Sequence, residues 1–108
     1  MGLFGRFRAG RRRTAAAAAD VRDLRQWAVE RTGVEAYVEP QTTVTPMTVV
    51  LVASDGEWTR RPVDSAGARR IGERLRIPVY DVQKVGYPQR MRDFDARRRI
   101  QRRRAQRG

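Results

Sequence analysis

The sequence predicts an α+β domain: a small, mostly antiparallel four-stranded sheet with helices, in the order α-β-β-β-α-β-α, and a basic helical C-terminal tail. Two patterns predict it. Apolar residues recur at helical spacing in several segments, whereas residues 34–39 alternate in polarity and residues 48–53 are continuously apolar and mostly β-branched. Since 108 residues allow one domain, both kinds of element belong to one core.

The first helix is predicted before the sheet. Residues 15–19 are all alanine, which favours helix, and Leu24, Trp27 and Ala28 then share one helical face. Gly33 is a natural C-terminal stop for this helix. We expect Trp27 to lie in the core, together with Trp58 from a later strand.

Three strands are predicted next. Residues 34–39 alternate as a half-buried strand does, and Pro40 ends the alternation. Residues 48–53 suit a central strand that is covered on both faces. Asp55-Gly56 is a strong hairpin signal, so residues 57–63 are expected to return as the third strand.

A second helix and a fourth strand follow the hairpin. Asp64 or Ser65 can cap this helix, whose core-facing positions include Ile71 and Leu75. Its arginines fit a solvent-exposed helix face. Residues 78–82 then predict the fourth strand.

The last helix is predicted to start near Pro88, since proline fits the first turn of a helix. Met91 and Phe94 can dock this helix on the core. Beyond Phe94 the only sizeable apolar side chain is Ile100, so the rest of the helix is expected to project into solvent.

Net charge is concentrated at the two ends of the chain. Residues 1–13 carry five arginines and no acid, residues 89–108 carry nine arginines against two aspartates, and residues 14–88 carry ten basic and ten acidic side chains. We therefore predict a disordered arginine-rich arm over residues 1–13, a single α+β domain over residues 14–96 and an arginine-rich projecting helix or tail over residues 97–108. A neutral domain with basic arms is typical of a protein that binds polyanions.

Composition excludes several kinds of chemistry. The chain has no cysteine and no histidine, which removes disulfides, thiol nucleophiles, histidine bases and the usual zinc sites. It also lacks a glycine-rich dinucleotide fingerprint and a phosphate-binding loop, so we expect no cofactor, no metal site and no enzymatic activity. Without a long apolar run or a signal-peptide pattern, a cytoplasmic protein is expected.

The order of elements leaves one enzyme alternative open. The order α-β-β-β-α-β matches the core of restriction-endonuclease-like nucleases, in which carboxylates hold a metal ion and a lysine orients water. Here Asp55 and Glu57 lie at the hairpin, Thr59 takes the lysine position, and Lys84, the single lysine of the chain, follows the last strand. A degenerate metal-dependent nuclease is therefore the enzyme alternative, although Asp55 and Glu57 are explained more simply as turn residues.

The C-terminal tail carries the most specific signal. Residues 97–104 contain two arginine triplets around Ile100 and Gln101, and at about 100° per residue their guanidinium groups point around most of the helix. Arginine binds phosphate through planar, bidentate contacts and stacks on bases. We therefore predict a non-enzymatic protein that binds structured RNA, such as ribosomal RNA, in preference to DNA. The expected nucleic-acid-binding residues are Arg11, Arg12, Arg13, Tyr87, Arg90, Arg92, Arg97, Arg98, Arg99, Arg102, Arg103 and Arg104.

Within this set a structural role, in which Tyr87 covers the sheet edge, is the favoured interpretation of Tyr87. The alternative is a defined site at this stretch, in which Tyr87 stacks on a base while Arg90 and Arg92 face phosphate. Arg69 and Arg70 fall where a double-stranded-RNA-binding domain, which shares the order α-β-β-β-α, has its basic cluster. We favour the simpler interpretation that they belong to the solvated face of an amphipathic helix.

Other interpretations of the basic segments stay open. The tail can be an inert solubilising segment, because arginine outnumbers lysine 23 to 1 in the chain. Leu3, Phe4 and Phe7 within residues 1–8 can insert at an anionic membrane surface or stack on single-stranded RNA. A protein–protein interaction module with an acidic partner is the alternative from another functional class.

Three stretches carry a resemblance to a known family: residues 34–40 (VEAYVEP), 51–61 (LVASDGEWTRR) and 86–93 (GYPQRMRD). Over residues 20–96 the chain resembles a family of small uncharacterised actinobacterial proteins. The resemblance implies a cytoplasmic bacterial protein and no particular site residues. Some relatives carry an oxidoreductase label, but this chain has no nucleotide fingerprint, redox cysteine or metal set that fits it.

Overall fold

The central strand determines how the other elements are arranged. In a computed structural model, which describes residues 22–107, β2 (Thr48–Val52) pairs antiparallel with both β1 (Glu35–Glu39) and β3 (Trp58–Pro62). β4 (Val79–Asp81) lies beyond β1 and pairs parallel with it, so the strand order is β3-β2-β1-β4. The predicted α+β class is confirmed, with a sheet that is mixed rather than purely antiparallel.

Four helices accompany the sheet in the described part of the chain. α1 covers residues 22–29, α2 is Ser65–Leu75, α3 is Val82–Val85 and α4 is Gln89–Arg107. The alanines predicted to start the first helix lie outside the described residues. α2 connects the edge strand β3 to β4 at the opposite edge, and this crossover is what allows β4 to run parallel to β1.

α3 is a single turn that the sequence pattern did not predict. It starts where the Asp81 carboxylate accepts a hydrogen bond of 2.8 Å from the backbone N–H of Gln83. The strand predicted over residues 78–82 therefore ends at Asp81. Sequence periodicity cannot resolve an element this short, because one turn has no repeating apolar face.

One face of the sheet packs against α1 and α2. Leu24 of α1 and Ile71 of α2 are almost fully buried, in one cluster with Val49 and Leu51 of β2. Trp27 is half-buried and packs against the same cluster. Each fully buried aliphatic side chain here contributes roughly 1.5–3 kcal/mol to folding.

The opposite face packs against the beginning of α4. Tyr37, Val50 and Val52 form a second buried cluster with Met91 of α4, and the half-buried Trp58 packs against it. Side chains on both faces of β2 are therefore buried, as the continuous apolar sequence of this strand predicts. The start of α4 thus belongs to the core.

A glycine in the hairpin between β2 and β3 brings α4 close to the sheet. Gly56 is buried and has a φ of +92°. A Cβ atom at this position would lie 2.0 Å from the carbonyl oxygen of Arg90 and 2.9 Å from the Cβ of Phe94. Only glycine permits both this backbone conformation and this approach.

α4 continues well beyond its docked turns. The helix has 19 residues, which corresponds to about 28 Å, and every residue from 97 to 107 is exposed. The last 11 residues therefore extend about 16 Å past the packed part. Among residues 22–107, no helix combines the length and apolar character that crossing a membrane requires.

Candidate nucleic-acid interface

Arg90 anchors the first turn of α4 on the sheet. Its Nε atom donates to the carbonyl oxygen of Ala53 at 2.9 Å, and its Nη2 atom donates to Glu35 Oε1 at 2.5 Å and to the carbonyl oxygen of Val52 at 3.4 Å. The hydroxyl of Tyr37 donates to the same Glu35 oxygen at 3.2 Å. The guanidinium group is therefore engaged by the protein itself, and sequence reasoning did not foresee these partners.

Tyr87 is held by a second carboxylate on the same strand. Its hydroxyl donates to Glu39, which also accepts a hydrogen bond of 2.7 Å from Thr48 Oγ1 and bonds of 2.7 and 3.0 Å from Arg60. Burial alone would raise the pKa of Glu39, but hydrogen bonds from Arg60, Thr48 and Tyr87 outweigh it and lower the pKa to about 2. Burial and the bond to Glu39 raise the pKa of the Tyr87 hydroxyl.

The next turns of α4 are tied to the hairpin. Trp58 Nε1 donates to Asp95 Oδ1 at 2.8 Å, and Arg97 Nη2 donates to the carbonyl oxygen of Asp55 at 2.9 Å. The guanidinium carbons of Arg97 and Arg98 lie 6.0 and 5.7 Å from the ring centroid of Phe94. The direction in which α4 leaves the domain is thus fixed from Gln89 through Arg97.

The exposed segment, which we define as residues 97–107, begins where the packed root of α4, residues 89–96, ends. Its side chains include seven arginines, two glutamines, one isoleucine and one alanine, and no acid. Apart from the contacts of Arg97 and Arg98, none of its arginines has a hydrogen-bond or ion-pair partner among residues 22–107. These partnerless arginines are Arg99, Arg102, Arg103, Arg104 and Arg107.

The predicted nucleic-acid-binding residues therefore fall into three places. Arg90 and Tyr87 lie at the root of α4 in contact with carboxylates, whereas Arg92 is exposed on the same turns. The remaining predicted residues of α4 lie together in the exposed segment. Arg11, Arg12 and Arg13 lie outside the described residues, as do Leu3, Phe4 and Phe7 of the membrane alternative.

The carboxylates of the nuclease alternative have ordinary local partners. Asp55 accepts a 3.0 Å hydrogen bond from the backbone N–H of Glu57, as expected for a turn residue. Glu57 receives two bonds of 3.0 Å from Arg31, whose guanidinium carbon lies 4.0 Å from the centroid of the Trp27 ring. In the part of the chain that the structure describes, acidic side chains form no group of three that could hold a metal ion.

Sequence reasoning missed the acids that fix α4. On β1, Glu35, Tyr37 and Glu39 alternate with the apolar Ala36 and Val38, a pattern that indicated only a half-buried strand. The available signal was that the alternating polar positions were acidic and aromatic, on a sheet expected to be packed against a basic helix. In the structure Glu35 forms an ion pair with Arg90 of α4, whereas Glu39 pairs with Arg60 of β3 and accepts a hydrogen bond from Tyr87 in the loop before α4.

Comparisons of the chain with protein-family models, with curated proteins and with solved structures gave no match. The resemblance to small actinobacterial proteins therefore stays a prediction. The three stretches that carry it nevertheless come together in space, because Arg90 contacts both Glu35 and Ala53.

Proposed function

We propose that this is a cytoplasmic, non-enzymatic nucleic-acid-binding protein, that its ligand is structured RNA such as ribosomal RNA, and that the exposed segment makes the main contact. The observation that carries the proposal is the composition and position of that segment. Seven arginines without an acid extend in one helix from a root that hydrogen bonds hold in place. Guanidinium groups on a fixed support bind phosphates with little loss of conformational freedom.

The proposal divides the predicted residues by role. Arg90 and Tyr87 position α4, since their polar groups are occupied by Glu35, Glu39 and backbone carbonyls. The exposed arginines of α4 contact phosphate, with Arg92 at the boundary between the two parts. Arg11, Arg12 and Arg13, whose role is inferred from the sequence, form a second basic arm that contacts the nucleic acid.

The test measures binding of the full chain by fluorescence anisotropy across a salt series. The probes are a labelled RNA hairpin, a single-stranded RNA and a DNA duplex. The test variant is R102Q/R103Q/R104Q, and the matched control removes the same charge from exposed arginines of α1 and α2 as R22Q/R25Q/R74Q. Glutamine keeps helix propensity close to that of arginine.

We expect the test variant to bind the RNA hairpin at least tenfold more weakly, with a salt slope that is lower by about 2 to 3, because each lost phosphate contact removes about one unit. The control variant should stay within about twofold of the native chain. Equal losses of affinity in both variants would mean that the arginines of α4 act only through the net charge of the protein. No loss of affinity in the test variant would reject the proposed contact.

A protein–protein interaction module is the second candidate, and one observation favours it. Val79 and Tyr80 of the edge strand β4 and Val85 of α3 keep 39%, 37% and 56% of their surface exposed. An edge strand with apolar side chains can accept an added strand from a partner. Indifference to all three nucleic acids would favour this candidate over the first.

A further inference from the structure

The arginines of the exposed segment lie in three stripes around α4. At about 100° per residue, Arg97 lies within about 20° of Arg104, while residues four apart differ by about 40°. The stripes point in directions about 110–130° apart, so together they encircle the helix. The first stripe is Arg97 and Arg104, the second is Arg98 and Arg102, and the third is Arg99, Arg103 and Arg107.

Charge on all sides has an energetic consequence for the helix. The pairs Arg98–Arg102 and Arg99–Arg103 place like charges four residues apart, and each such pair destabilises a helix by roughly 0.2–0.5 kcal/mol. No acid within the exposed segment offsets this repulsion. A partner that neutralises a single side of the helix leaves the charge on the remaining sides unscreened.

Building on the proposed function, we infer that the exposed segment binds inside a groove of a nucleic-acid duplex, with phosphates of both strands on either side of it. A membrane surface or the face of an acidic protein is flat on this scale and would contact about half of the circumference, and therefore two stripes at most. A groove has two walls and a floor, which gives each stripe a partner.

The diameter of the helix limits which grooves can hold it. An α-helix with side chains is about 10–12 Å across, close to the roughly 12 Å width of the B-DNA major groove. A major groove of A-form RNA is narrower, so an RNA ligand must be opened by a bulge or an internal loop, which is a property of structured RNA. The segment also lacks the aromatic side chains on which single-stranded bases stack, since its residues are Arg, Gln, Ile and Ala.

The root of α4 limits how far the exposed segment can enter a groove. Arg97 donates to the hairpin carbonyl of Asp55, so the domain itself stands at one end of the segment.

From Arg97 to Arg104 the helix rises about 10 Å, and over that length a duplex carries on the order of six phosphates at one charge per about 1.7 Å. That number is close to the six arginines of the two triplets.

The experiment compares three double variants of the full chain: R97Q/R104Q, R98Q/R102Q and R99Q/R103Q. Each removes two charges from one stripe and serves as the control for the other two. Affinity is measured by anisotropy with a bulged RNA duplex, a DNA duplex of matching sequence and the single RNA strand. Circular dichroism checks that helix content is retained, as expected from the similar helix propensities of arginine and glutamine.

We expect each of the three variants to bind the bulged RNA duplex about tenfold or more weakly than the native chain, and each salt slope to fall by about 2. The single strand should bind more weakly than the bulged duplex. If one variant alone loses affinity, or if the single strand binds as tightly as the duplex, the exposed segment does not lie in a groove, although the protein still binds RNA. A native chain that binds no nucleic acid, or binding that no variant weakens, would reject the proposed function itself.

Discussion

Glu39 is a residue at which three segments of the chain meet. Its carboxylate accepts hydrogen bonds from Thr48 on β2, from Arg60 on β3 and from Tyr87 in the loop before α4. Its side chain is 18% exposed and that of Arg60 is 43% exposed, so these bonds are only partly shielded from water. The acid therefore links the sheet to the start of the last helix.

This residue makes stability depend on acidic pH. The pKa of Glu39 is about 2 in the folded protein and 4.5 ordinarily, so its stabilisation is complete above the ordinary value and is lost as the pH falls toward 2. Over that window we expect the free energy of unfolding to fall by about 1 to 2 kcal/mol more in the native chain than in Glu39→Gln, because solvent at the partly exposed Arg60 screens the pair. Urea unfolding followed by tryptophan fluorescence measures both, and parallel declines would contradict the assignment.

Gly56 gives a second test at the level of one residue. Gly56→Ala introduces a positive-φ strain and places a Cβ atom 2.0 Å from the Arg90 carbonyl oxygen. Gly86→Ala is the matched control, since Gly86 also has a positive φ, of 72°, but no atom lies within 4 Å of the place that its added Cβ would take. We expect Gly56→Ala to be the more destabilising by at least about 1 kcal/mol in urea unfolding. Equal effects would mean that α4 does not approach the hairpin this closely.

At the scale of the element, α4 consists of a root that belongs to the core and an extension, the exposed segment of residues 97–107, that does not. The root contributes Met91 to the second buried cluster and receives a hydrogen bond from Trp58. The extension has exposed side chains throughout. One helix thus serves both the packing of the domain and the display of charge.

Arg90 and Arg92 distinguish the two roles within one turn of the helix. Arg90→Gln removes the cation that Glu35 faces and the donors to two backbone carbonyls, so we expect a loss of about 2 kcal/mol in the free energy of unfolding. Arg92→Gln, at an exposed position, should change it by less than about 0.5 kcal/mol. Urea unfolding of the two variants compares them directly. A larger loss from Arg92→Gln would show that the contacts of Arg90 do not hold the helix.

The helicity of the extension should respond to salt. Repulsion between its arginines opposes the helix at low ionic strength, and screening within a Debye length relieves it. We expect the circular dichroism signal at 222 nm to become more negative between about 10 mM and 0.5 M sodium fluoride, where the Debye length falls severalfold. The variant R102Q/R103Q/R104Q should change less. A flat signal in the native chain would mean that repulsion does not limit helix formation.

The elements differ in how well the sequence predicts them. The strands β1 and β2, the hairpin at Gly56 and the start of α4 after Pro88 follow from local patterns, and the structure has them. The parallel pairing of β4 does not, because it depends on the path of α2 across the sheet. The partners of Arg90 are also beyond local patterns, since Glu35 and Ala53 are 55 and 37 residues away in the chain.

At the scale of the whole molecule, charge and core occupy different parts of the chain. Residues 14–88 carry ten basic and ten acidic side chains, and none of the buried side chains among residues 22–107 is charged. The ion pair between Arg90 and Glu35 at the root of α4 connects these parts. Removing the extension should therefore separate binding from folding.

Deletion of residues 97–108 tests that separation. It lowers the net charge from +12 to +5, and among the described contacts it removes the Arg97 bond to Asp55 and the stacking of Arg97 and Arg98 on Phe94. We expect the free energy of unfolding to change by less than about 1 kcal/mol, because exposed contacts of this kind are weak. Affinity for a bulged RNA duplex should fall at least about 100-fold at 0.1 M salt, since most phosphate contacts are lost. If the shortened chain unfolds more easily but still binds RNA, the prediction is wrong. Residues 97–108 would then stabilise the domain and would not form the RNA contact.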